Sequence, residues 1–174
     1  AVVEQFPVVR HFVFNTRDPH MNRVADHPET VPALGEFELS LARALGFLDS
    51  AGLTYRVERV PLCYMVEHAH ASTETRKIVK SEERTTHFLD DKGSVRQTGF
   101  LHDKAECCSI CTLDPVCAGL DGVGEGFHLE ELHPVFVPAA EVIGRVLRRP
   151  ASSIPGSMIV EIAARQQGVP KRNR

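Results

Sequence analysis

Four cysteines, Cys107, Cys108, Cys111 and Cys117, fall within eleven consecutive residues of the stretch KAECCSICTLDPVCAG, and no other feature of the chain constrains its fold as strongly. Two thiols separated by two residues can grip one centre, because a tight turn aims both sulfurs inward. A fifth cysteine, Cys63, lies 45 residues before Cys108 in the segment VPLCYM. The run Cys108-x2-Cys111-x5-Cys117, joined by one thiol from a strand end, supplies four ligands, a set that suits a zinc ion or an iron–sulfur cluster. Spacing does not separate the two, since both accept four thiolates. Unrelated buried cysteines would not gather in this way among turn-forming residues. Disulfides belong to oxidising compartments, and the first residues, AVVEQFPVVR, lack the charged, apolar and small-residue regions of a secretory leader. The expected compartment is therefore the cytoplasm. Adjacent side chains point apart, so Cys107 and Cys108 do not both ligate one centre. Spacing selects Cys108, with Cys107 as the alternative ligand and otherwise a spare thiol.

At 174 residues and 43% hydrophobic composition, the chain can bury one core with a small appended module. Its 20 Lys+Arg against 23 Asp+Glu give a net charge of -3, so no broad field attracts nucleic acid or an anionic membrane. No apolar run approaches the roughly 18 residues a membrane span needs. Residues 7–15 are rich in Val and Phe, apolar on both faces, and predict an interior parallel strand. Leu34, Phe37, Leu41, Ala44, Leu45 and Leu48 recur at helical spacing before Gly52, predicting an amphipathic helix over 34–51. Residues 53–62 read as a second strand, so strand, helix and strand form a βαβ unit with parallel pairing. Residues 67–83 are polar and read as a solvated helical stretch. Residues 84–89 and 94–100 flank Asp90-Asp91-Lys92-Gly93, which predicts a hairpin. An apolar segment at 132–137, a helix over 139–148 and a basic tail, PKRNR, complete the chain.

The string Arg59-Val60-Pro61-Leu62-Cys63, followed by Lys104-x3-Cys108-x2-Cys111-x5-Cys117-x-Gly119, resembles the C-terminal region of radical SAM proteins that carry an auxiliary iron–sulfur cluster in a Twitch or SPASM extension. The likeness covers about residues 5 to 137. It implies an α/β fold in three parts: the C-terminal βαβ portion of a partial (β/α)6 barrel at 1–62, a small Cys-rich module with a β-hairpin at 63–137, and a C-terminal helix and tail at 138–174. It implies an auxiliary 4Fe-4S cluster held by Cys63, Cys108, Cys111 and Cys117, and S-adenosylmethionine as cofactor of the full-length oxidoreductase or maturase. Asn15 and Arg17, at the carboxyl end of the first strand, would face S-adenosylmethionine or substrate. The implied partners are a missing N-terminal half-barrel of the same protein and, as for many relatives, a peptide substrate.

The family's catalytic cluster requires a Cys-x3-Cys-x2-Cys motif, and no such spacing occurs in these 174 residues. The chain is therefore expected not to cleave S-adenosylmethionine by itself. Two smaller departures are Leu120-Asp121, where relatives often carry an aromatic residue, and the doubled Cys107-Cys108. Four thiolates saturate a cluster and leave no open iron, so the expected role is electron relay or scaffolding. Two rival readings use the same residues, a zinc-stabilised structural or interaction module and a small stand-alone electron-transfer protein. His68-x-His70 could chelate a metal, and His11, His20 and His27 lie near the strand-end loop, but scattered surface histidines account for these. Gly122-x-Gly124-x-Gly126 follows no strand and opens no helix, so it reads as a wrap around the cysteine site rather than a phosphate cradle.

Overall fold

The computed structural model describes residues 2–16, 26–87, 93–97, 101–122 and 127–148. Arg17, His20, the turn at 88–92, Gly124, Gly126 and the basic tail lie outside the described residues.

After a single helical turn, α1 (Val2–Gln5), the chain enters strand β1 (His11–Asn15), and its partner β2 (Thr54–Glu58) follows the long helix α2 (Leu34–Ser50). The two strands pair in parallel, with Phe12 beside Tyr55 and Phe14 beside Val57. The apolar stripe explains the helix, since Leu34, Leu41, Leu45 and Leu48 are buried while the charged positions between them face outward. Gly52 turns the chain after it at a φ of 64°, a conformation that favours glycine. The predicted helix and strand pairing are thus both found, and the described residues form a mixed α/β structure with a two-stranded parallel sheet. They do not extend to a barrel. The predicted hairpin is also present as β3 (Arg84–His87) and β4 (Ser94–Gln97), paired antiparallel.

The start of α2 shows how distant segments are tied together. Ala33 has no side-chain oxygen to cap the helix, and the Glu36 carboxylate accepts from the Ala33 N–H at 3.1 Å. The Leu34 N–H instead donates to Glu131 Oε2 at 2.7 Å, across 97 residues of sequence. The other carboxylate oxygen of Glu131 accepts from the His128 N–H at 3.0 Å, and its carbonyl accepts from the Tyr64 hydroxyl at 2.5 Å. A carboxylate at the positive end of a helix is favoured both by the exposed N–H groups and by the helix dipole.

The stretch after Cys63 departs from expectation. Rather than a solvated helix, it forms a tight turn, Val66–Ala71, followed by helix α3 (Thr73–Lys80), and it buries His68, Ala69, Ala71, Ser72 and Thr75. The cause is helix α4 (Ala139–Arg148), which packs over the turn with Val142 and Val146 buried. The Arg145 guanidinium donates to the Glu67 carbonyl at 3.0 Å. Small side chains in the turn allow this close approach, and average polarity concealed them. His68 is consequently a core residue rather than a surface one, with the Tyr55 hydroxyl 2.8 Å from its Nδ1 and 2.7 Å from Asp49 Oδ2. One buried apolar cluster runs from Leu34 through Val57, Leu62, Leu113 and Leu120 to Val146, so all three predicted parts share a core. β1 is less enclosed than its composition implied, because Val8 is 86% exposed and Val13 47%. No helix among the described residues is long and apolar enough to cross a membrane.

Replacing Glu131 with Ala removes the charged acceptor of the Leu34 N–H and is expected to cost about 2 kcal/mol of stability, at the scale of a lost cap plus a charge-assisted hydrogen bond. Urea unfolding followed by circular dichroism measures this, and a midpoint equal to that of the parent would contradict the assigned role.

Candidate metal centre

Cys63 sits in the turn Leu62–Tyr64, directly beyond β2, with Leu62 and Tyr64 buried on either side. Arg59 directs the chain there. Its backbone adopts a left-handed φ of 63°, its carbonyl accepts from the Thr16 hydroxyl at 3.2 Å, and its Nε lies 3.2 Å from Asp121 Oδ2. A non-glycine residue in this conformation stores strain that the surrounding contacts must hold.

Cys107 and Cys108 lie on the tight turn Glu106–Ile110, Cys111 follows it directly, and Cys117 directly follows a second tight turn, Asp114–Val116. Their backbone hydrogen bonds are short-range: Cys108 N–H to Ala105 O at 3.0 Å, Cys111 N–H to Cys108 O at 3.0 Å, and Cys117 N–H to Leu113 O at 2.9 Å. Leu113, Val116, Ala118 and Leu120, interleaved with the cysteines, are all buried in the core. Burying that set turns the thiols to a common side. The loop then closes on itself. Leu120 N–H donates to Asp103 O at 2.8 Å and Asp103 N–H to Leu120 O at 3.2 Å, with Gly119 at a φ of 101° between them. A Cβ on Gly119 would fall inside contact distance of the Asp103 carbonyl oxygen, so only glycine fits. Lys104, next in sequence, anchors its ammonium on the Asp114 carbonyl at 2.9 Å and the Asp114 carboxylate at 2.8 Å.

Cys63, Cys108, Cys111 and Cys117 line one small cavity of about 20 Å³, together with Lys104 and His133. The structure therefore brings together the four cysteines singled out by spacing. Cys107 does not line that cavity; its thiol donates to the Leu132 carbonyl at 3.4 Å, and it lines a separate groove. All five are free thiols. Among the described residues, no three His, Cys, Asp or Glu side chains converge closely enough to grip a single ion. The four sulfurs surround a shared space instead. Metal–thiolate bonds of about 2.3 Å bring a metal well inside van der Waals contact with sulfur, so walls that admit little solvent still admit a bonded group.

Backbone N–H groups are aimed at three of the four sulfurs. The Val135 N–H donates to Cys111 Sγ at 3.4 Å, the His133 N–H and the residue's own N–H reach Cys63, and the Ala105 N–H reaches Cys108. Such donors stabilise thiolate charge and set the properties of any metal bound there. In the metal-free protein, burial pushes the Cys63 thiol up to about 12, against the pull of those two N–H groups and with the nearby Cys117 and Cys108 adding to the rise. Burial also raises Cys108.

The remaining sequence candidates lie elsewhere. Asn15 lines an open groove of about 600 Å³ at the end of β1, with Thr16 and Val60, and that groove includes no cysteine. His68 and His70 face each other at 6.4 Å between ring centroids, beside Tyr55 rather than the thiols. His11 bonds the Thr54 hydroxyl at 2.9 Å and His27 meets Glu29 at 3.1 Å. His133 and Val135 escaped the sequence reading, and Lys104 entered it only as the first residue of the cysteine string. Lys104 had a signal in its place just ahead of the cysteines, whereas a backbone N–H leaves none.

Two outcomes follow from this geometry. In the metal-free protein the alkylation rate of Cys63 should keep climbing as pH rises well past its ordinary value of 9.0, and mass spectrometry showing a plateau by about pH 10 would contradict its burial. Because the folded thiol is raised, its share of stability is complete below the unfolded value and is lost as pH climbs toward about 12. Gly119→Ala should unseat the closure between Asp103 and Leu120 and cost at least about 2 kcal/mol, measured by urea unfolding; a neutral effect would mean the loop closes by other contacts. Comparison of the chain with family models, with curated proteins and with solved structures finds no match.

Proposed function

We propose that Cys63, Cys108, Cys111 and Cys117 bind one 4Fe-4S cluster that serves as an electron relay, in the C-terminal portion of a radical SAM enzyme. The observation that carries this reading is the shared cavity, reached by thiols from two segments 45 residues apart, with N–H donors directed at the sulfurs. The cluster would supply one-electron transfer.

The chain's own groups have distinct tasks. The cysteines hold the group as thiolates, so uptake of iron displaces their protons. The His133, Val135 and Ala105 N–H groups stabilise negative charge on sulfur, and the Lys104 ammonium adds a positive charge at the cavity wall. Leu62, Leu113 and Leu132 keep water from the sulfurs. Four protein ligands leave no coordination position for substrate, which directs the reading toward relay or scaffold rather than catalysis.

The partial barrel belongs to the same proposal. Among the described residues the outer edge of β1 has no strand neighbour, and the groove beside it is lined by Val13, Phe14, Phe37, Leu41 and Val60. Parallel sheets are ordinarily covered on both faces and extended by further strands. A parallel strand from an N-terminal half-barrel would fill that groove, and S-adenosylmethionine would bind in that half, near Asn15.

Anaerobic reconstitution tests the cluster. The expected product is brown, with broad absorbance near ~400 nm and about four irons per chain. Cys63→Ala, Cys108→Ala, Cys111→Ala and Cys117→Ala should each lose most of the iron, while Cys107→Ala retains it. Stoichiometric zinc without iron would replace the cluster by the structural-module reading, and iron lost from Cys107→Ala but kept in Cys108→Ala would exchange the two neighbours.

A further inference from the structure

The thiol cavity shares part of its wall with the surface. Lys104 and Leu132 line the cavity and also a second, open groove of about 740 Å³ on the surface. Cys107, whose thiol donates to the Leu132 carbonyl, forms part of that groove, together with Glu106, Ile110, Leu129 and Glu130. Lys104 and Leu132 are therefore common to the groove and to the space beside the sulfurs. Ile110, between Cys108 and Cys111, is 64% exposed. Nearby, Phe136 is 68% exposed, on a segment laced to the cysteine turn by Thr112, whose N–H and hydroxyl both donate to the Val135 carbonyl. Bulky apolar side chains exposed beside a built site mark a contact surface. Glu106 and Glu130 are exposed at the same groove, and neither has an ion-pair partner among the described residues.

We infer that this groove is the docking face for a redox protein whose apolar contact patch is ringed by lysine or arginine. The inference rests on the cluster reading. A centre saturated by four thiolates that serves as an electron relay needs a partner close to it, and the groove shares Lys104 and Leu132 with the cavity. The charge of the rim selects the partner's sign, since Glu106 and Glu130 attract a basic ring and repel an acidic one. With a cluster held by the four cysteines, the transfer would pass one electron from its reduced form to the partner's oxidised centre, with no bond formed and no proton moved.

The test uses oxidised cytochrome c, a basic haem protein, as probe. Its binding to the reconstituted protein is measured by calorimetry at low salt, and its reduction by the dithionite-reduced protein is followed by stopped flow. The double variant E106K/E130K is compared with E29K/E67K, which makes the same change in net charge away from the groove. The expected result is a loss of binding of roughly tenfold or more and a similar slowing of electron transfer in E106K/E130K alone. Iron content and the rate of oxidation by a small neutral quinone should stay as in the parent. Equal effects in both double variants, or none in either, would overturn the docking face while leaving the cluster in place. A protein that takes up no iron would overturn the cluster reading, and this inference with it.

Discussion

Backbone N–H and C=O groups withdrawn from water must find partners, and residues 131–137 find several without joining a sheet. Their groups turn to the side chains and sulfurs around them. The Glu131 carbonyl takes the Tyr64 hydroxyl, the Leu132 carbonyl takes the Cys107 thiol, and the His133 and Val135 N–H groups go to Cys63 and Cys111. The Val135 and Val137 carbonyls accept from Thr112. The Glu131 carboxylate meanwhile caps α2. This one extended segment touches the helix, the Cys63 turn and the cysteine loop, and its unmet backbone valences hold the three in register.

That arrangement explains what the sequence made legible and what it hid. Helix α2 is written in the spacing of Leu34, Leu41, Leu45 and Leu48, and the parallel pair follows from strands separated by a helix. The hairpin is announced by its turn residues, and the gathering of Cys108, Cys111 and Cys117 by their spacing. Cys63 entered the set only because a strand end was expected beside it. The bond between Leu34 and Glu131 spans 97 residues and leaves no local pattern. The burial of Ala69, Ala71 and Thr75 was equally hidden, because it depends on α4 arriving from some seventy residues away. Small residues in a polar stretch read as solvated until a neighbour covers them.

The site also shows how burial and hydrogen bonding divide their work on a thiol. Around Cys63 burial dominates and keeps the metal-free thiol protonated, while two N–H groups wait for negative charge. The same environment that resists a bare thiolate suits one whose charge is shared with a metal. Cys107 has the opposite setting. Its S–H has found the Leu132 carbonyl, so the neighbouring thiol serves the fold as a donor while Cys108 faces the cavity.

The position of Cys63 relative to Cys108 has a topological meaning. The chain between them leaves the site, forms α3 and the β3–β4 hairpin, and returns, so a group bonded to both ends closes a ring of 45 residues. Such a closure behaves as a clasp, and its entropic cost grows only as the logarithm of the enclosed length, about 0.6 kcal/mol for each doubling. With such a group bound, the hairpin would hang on a closed loop whose length is thermodynamically cheap to alter. Lengthening or shortening the hairpin would leave the clasp almost indifferent, which makes this excursion the part of the molecule freest to diversify while its two anchored ends stay fixed.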